Sequence, residues 1–166
     1  MNSESQRIIH LLKNTYDGTP WYGPSVKALL SGVTAAQAKV RPLANGHTIG
    51  EIVGHVTAWR EFTWHKLQGR HGGPEANFDI HTPQQDWPTA ERTSPADWQA
   101  RLSQLETSQQ QLIRSLEALS DHELAITVPG RKYALYVLLH GIIQHDAYHA
   151  GQIALLKKAL GDQDEA

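Results

Sequence analysis

The sequence predicts an all-α protein, a four-helix bundle with long connections between helices one and two and between helices two and three. Three observations predict it. Apolar residues recur at three- and four-residue steps in four separated stretches, the spacing that puts them on one face of a helix. Helix-opening residues stand before two of those stretches, Thr48 with Glu51 three positions on, and Ser94 followed by Pro95 and Asp97. No stretch makes a convincing strand ladder.

The first helix is expected over about Glu4 to Tyr16, with Ile8, Ile9, Leu11 and Leu12 as its apolar set and "DGTP" as its stop. The connection that follows is longer than a bundle needs. It should hold one or two short helical turns, since Pro24 can open a turn and Gly32 can end one. Long connections often serve as binding loops, so Trp21 and Tyr22 are candidate cleft walls. Thr48 caps the second helix, whose inward stripe reads Ile52, His55, Trp59, Phe62 and which should end near Gly69. Residues 70 to 93 contain prolines and no sustained periodicity, the mark of a structured surface loop. The third helix opens at Ser94 and buries Trp98, Leu102, Leu105, Leu112, Leu116 and Leu119 before "SDHEL" breaks it. "AITVPGRKYAL" then turns through Pro129 and Gly130, with room for a short extended piece. The fourth helix should run from about Tyr133 to Leu160, closed by Gly161.

The chain's length suits a single domain over residues 1–166, large enough to form a core without disulfide or metal staples. No segment is apolar enough to span a membrane and no secretory signal is recognisable, so a soluble, cytoplasmic protein is expected. A net charge of −2 with scattered Lys and Arg argues against a nucleic-acid partner. With no cysteine, thiolate ligands and a cysteine nucleophile are excluded, and chemistry falls to histidines and carboxylates. Ten histidines make position the deciding question.

"HDAYH" places His145 and His149 four residues apart, about 40° from each other around the helix, so they project together one turn apart. Both fall on the apolar stripe of the fourth helix, and His55 falls on that of the second. Buried imidazoles need partners, and two protonated neighbours would repel, whereas a divalent cation takes neutral nitrogens. Three imidazoles and an open position form a known catalytic coordination. His140 is rotated off the shared face, and His10, His47, His65, His71, His81 and His122 are expected in packing or solvent roles. The likeness to H-E-x-x-H is poor, for Asp146 replaces the longer glutamate and no third zinc ligand follows in context. No G-x-S-x-G signals a serine hydrolase.

"TIGEIVGHVTAWREF", followed about ninety residues later by "LLHGIIQHDAYHAGQIALLKKAL", resembles the DinB/YfiT-like superfamily of four-helix metal proteins over nearly the whole chain. The resemblance implies a divalent metal held by His55, His145 and His149, with zinc or nickel first and iron, manganese or cobalt next. It also implies a homodimer, and a small-molecule substrate that includes low-molecular-weight thiols, since relatives comprise thiol-dependent transferases and metal-dependent hydrolases. Many relatives carry arginine where this chain has Ala150, and that arginine could pair with an anionic cosubstrate, so the departure weakens any particular thiol assignment. Gln152 stays within the family pattern and can support a histidine or pack the helix.

The leading expectation is a metal-dependent enzyme that activates a water or a thiol, hence a hydrolase or a thiol S-transferase. Trp59 and Tyr148 join Trp21 and Tyr22 as candidate walls, and Asp146 and Glu61 are the carboxylates nearest in sequence that could orient a ligand or relay a proton. No catalytic residue is assigned beyond the three ligands. A non-catalytic metal-binding or stress-response module is the alternative, and a metal-free interaction protein is a third possibility.

Overall fold

The computed structural model describes residues 3–91 and 93–161. Among them the backbone forms α1 (Glu4–Asp17), α2 (Val26–Leu30), α3 (Ala35–Ala38), α4 (Ile49–Gln68), α5 (Pro83–Asp86), α6 (Pro95–Glu117) and α7 (Leu135–Ala159), with 3-10 turns at Gly69–His71, Pro74–Asn77 and Asp121–Ala125. The protein is all-α.

The helix starts follow from their caps. Ser3 and Gln6 exchange hydrogen bonds across the first turn of α1. Asp121 adds its carboxylate to the same end, accepting from the Glu4 and Ser5 amides at 2.9 and 3.0 Å. Thr48 and Glu51 form the expected capping box on α4, and Ser94 with Asp97 does the same for α6. The first connection carries two short helices, α2 and α3, capped by Ser25 and Thr34 and separated by Gly32 at φ +76°. α4 does stop at Gly69, for a reason the sequence does not carry. Its φ is −82°, but a Cβ there would lie 2.2 Å from the Ala76 nitrogen, so the close crossing of the Pro74–Asn77 turn demands glycine.

Helix α7 starts two residues later than Tyr133. The Val128 amide donates to the Tyr133 carbonyl and the Leu135 amide to the Ile126 carbonyl, both at 2.9 Å, forming an antiparallel bridge between Thr127 and Ala134. This is the short extended piece, and it holds Tyr133 and Ala134 out of the helix.

The long helices form a ring: α4 packs against α6 and α7, and α1 packs against the same two from the opposite side. α2 lies on α7 and α1, while α3 bridges α6 and α4. Two apolar clusters result. One joins Ile49, Ile52, Val56, Trp98, Leu105, Ala150 and Ile153; the other joins Ile8, Leu12, Phe62, Leu112, Leu116, Leu139 and Ile142. On α4 the interval between them holds Trp59 and Arg60, and on α7 it holds His145, Asp146 and His149. A polar layer thus crosses the molecule between two hydrophobic ones. No described helix is long and apolar enough to cross a membrane.

Candidate metal centre

α4 and α7 are neighbours, and His55 of the first meets His145 and His149 of the second. His55 and His149 are buried and His145 is half-buried. One ring nitrogen from each lies within 4.8 Å of the others, a cluster that could hold a metal ion.

Hydrogen bonding decides which nitrogens are available. His55 Nδ1 donates to the Asp86 carbonyl oxygen at 2.8 Å, with the Asp86 carboxylate 3.1 Å away. His149 Nδ1 donates to Gln152 Oε1 at 2.7 Å. Both neutral rings therefore carry their proton on Nδ1 and expose the lone pair of Nε2. His145 Nε2 lies 3.0 Å from His55 Nε2, near the roughly 3.3 Å expected for two nitrogens at tetrahedral angles around zinc. Its Nδ1 is buried without a partner, as is Asp146 Oδ1, and the two face each other at 3.9 Å. If the His145 proton sits on Nε2 to satisfy His55, two acceptors confront each other at Nδ1. If it sits on Nδ1, that clash ends, but two bare lone pairs then meet at 3.0 Å. A cation between them resolves both, so the donor set fits a divalent metal.

Burial, followed by the adjacent His145 ring, pushes the His149 pKa down to about 4. Burial also lowers that of His55, against an opposing pull from the Asp86 carbonyl. Neutral imidazoles are what a cation requires.

The surroundings come from three elements. Trp87, just past α5, stacks on His55 at 3.7 Å between ring centroids, and its other face takes His47 at 3.5 Å. Trp59 Nε1 donates to Asp86 Oδ1 at 2.8 Å, tying α4 to α5. Beneath the cluster, Arg60 and Asp146 form a fully buried ion pair at 2.7 Å. A cleft of about 520 Å³ opens over the histidines, walled by Trp59, Tyr133, Val137, Leu138, Ile142 and Tyr148.

Trp59 and Tyr148 line the cleft as expected, whereas Trp21 and Tyr22 do not. The turn from Pro20 to Gly23 leaves Trp21 wholly exposed and Tyr22 largely so. Glu61 lies in a separate groove with Gly54, Thr57 and Arg101. His140 packs on Tyr136, His65 stacks on Phe78 beside Glu75, and His71 pairs with Glu123, all away from the cluster. Asp86, Trp87 and Arg60 are the residues sequence reasoning missed. Nothing in the loop's pattern singled out the first two, and nothing marked an arginine between two aromatics as buried.

Fold and site define a helical bundle with a buried three-histidine cluster suited to a metal ion. A family model described as the DinB superfamily matches residues 25–153, and the chain belongs to that superfamily. No curated protein and no solved structure matches it.

Proposed function

We propose that His55, His145 and His149 bind one divalent metal ion, zinc or nickel first among the candidates, and that the protein is a metal-dependent enzyme. The observation that carries this reading is the pair of buried, unpartnered atoms, His145 Nδ1 and Asp146 Oδ1, beside two ring nitrogens at 3.0 Å. The metal would supply Lewis acidity, bringing the pKa of a coordinated water or thiol toward neutrality. The chain's own residues do the rest. Asp86 and Gln152 fix the tautomers of His55 and His149, Asp146 faces the proton of His145, and Arg60 holds Asp146 in place.

An enzyme is favoured over a non-catalytic metal-binding module by the cleft. A structural zinc is closed by four protein ligands, whereas here no fourth His, Cys, Asp or Glu joins the group among the described residues and the cluster faces open space. Water as nucleophile makes the protein a hydrolase, and a low-molecular-weight thiol makes it an S-transferase. A homodimer is proposed as well. Sedimentation tests it.

The metal is tested by elemental analysis of protein purified without a histidine tag. Wild type is expected to retain a stoichiometric ion, and His55→Ala, His145→Ala and His149→Ala to lose it. Wild-type stoichiometry in all three variants would remove the site. Turnover of an epoxide with and without added thiols then separates the two chemistries, since a thiol-independent rate excludes the transferase.

A further inference from the structure

Resting on that metal site, we propose that the cleft takes an uncharged, apolar ligand of aromatic type carrying a single thiol or hydroxyl as its metal-seeking atom, and that it discriminates against anionic thiols. Three observations carry this.

The first is the wall. Trp59, Tyr133, Val137, Leu138, Ile142 and Tyr148 surround a space of about 520 Å³, within the range that holds a small organic molecule. The flat indole and phenol rings suit a flat partner, which can stack or meet them edge-on.

The second is that Thr63 and Asp86, two of the polar residues of the lining, are already engaged. The Thr63 hydroxyl donates to the Trp59 carbonyl at 2.8 Å. The Asp86 carboxylate accepts from Trp59 Nε1 and lies beside His55. A ligand rich in amides or carboxylates would find few partners there, and its own groups would lose water without compensation.

The third is charge. Among the described residues that line the cleft, Asp86 bears the only formal charge on a side chain other than histidine, and it is negative. Neither lysine nor arginine is among them. Arg131, adjacent in sequence to the wall, is bound to Asp79 at 2.6 Å, and Lys132 is exposed and outside the lining. The buried arginine nearest the cluster, Arg60, is held by Asp146. A carboxylate on the ligand, with its thiol already on the metal, would face Asp86 with no cationic side chain to receive it.

Benzyl mercaptan and glutathione present the same donor atom on bodies of opposite character, so they make the decisive pair. Zinc content is measured first, and each thiol is titrated calorimetrically into the same zinc-loaded sample at low ionic strength. Benzyl mercaptan is expected to bind tighter by about tenfold or more. Asp86→Asn, which keeps an oxygen for Trp59 Nε1 and leaves the backbone carbonyl for His55, should narrow that gap several-fold by improving glutathione alone. Equal or tighter glutathione binding by wild type overturns the proposal. A second arm uses metal-free protein and follows the amide NMR signals of Leu138, Gly141 and Ile142. Benzyl mercaptan should shift them and glutathione should not, and the reverse overturns the proposal whatever the metal content. Failure to retain zinc would strike the metal site alone, and the second arm would still decide the class of ligand.

Discussion

A histidine that is buried without its proton is a stored pH dependence. The His149 pKa is lowered to about 4 by burial first and by the His145 ring second, and that of His55 is lowered by burial. In the unfolded chain both titrate near 6.5. Between those limits the unfolded chain binds more protons than the folded one, so the stability contributed by neutral rings is fully present above about pH 6.5 and is lost as the pH falls toward 4. Each unmatched proton is worth about 1.4 kcal/mol per pH unit. Metal-free protein should therefore show a melting temperature that declines from about pH 6.5 downward. The capping carboxylates act lower: Asp121, held below its usual range by the Ser5 and Glu4 amides, and Asp97, held there by Ser94, lose their contribution only at more acid pH. A melting temperature flat from pH 7 to 5 would contradict the buried neutral state of these rings.

At the scale of elements, the site depends on how firmly residues 86 to 90 lie on α4. Gly50, in the first turn of α4, makes room for them, because a Cβ there would lie 2.7 Å from the Ala90 Cβ and 3.0 Å from the Ala38 carbonyl oxygen. Helix propensity alone would favour alanine, so the glycine is a packing requirement. Gly50→Val should push this segment outward at a cost of about 1–3 kcal/mol, the usual range for overpacking. The displaced segment carries Asp86 and Trp87, so the change should also loosen the His47–Trp87–His55 stack. Limited proteolysis would reveal this as faster cleavage within residues 78–91. Unaltered resistance would show that the segment is anchored elsewhere, with the Arg101 contacts to the Thr89 and Gly50 carbonyls as the alternative hold.

Across the whole molecule, one polar chain joins the four long helices. Arg60 of α4 pairs with Asp146 of α7 and lies 4.8 Å from the ring of Tyr16 of α1, whose hydroxyl donates to Glu106 of α6 at 2.9 Å. Burial and the Glu106 carboxylate push the Tyr16 phenol well above its ordinary range, so it stays a donor. Both charges of the central pair are wholly buried, with Arg60 Nη1 and Asp146 Oδ1 unpartnered. Removing one partner leaves an uncompensated charge, so Asp146→Ala should cost about 3–5 kcal/mol in chemical denaturation. The double variant Arg60→Met, Asp146→Leu should recover most of that loss, because apolar residues can fill the same space without a desolvation cost. A double variant no more stable than the single one would mean that the layer serves packing more than charge balance.

The sequence by itself determined the long helices, the caps that open α4 and α6 and the face of α7 that carries His145 and His149, because these depend on contacts within about one helical turn. It also indicated His55, through its place in the stripe of Ile52, Trp59 and Phe62. Arg60 shows where that reading ends. It lies one position from Trp59, off the inward stripe read from the sequence, but α4 is enclosed by α6 and α7 and buries much of its flanks as well. Asp86 and Trp87 lie in a segment without periodicity, and their distance of about thirty residues from His55 in sequence becomes direct contact only after the connection folds back over α4. Local chemistry decided which imidazoles share a helix face; only the packing of one helix against another, and of a loop against both, decided which nitrogens keep their protons and which remain open to a ligand.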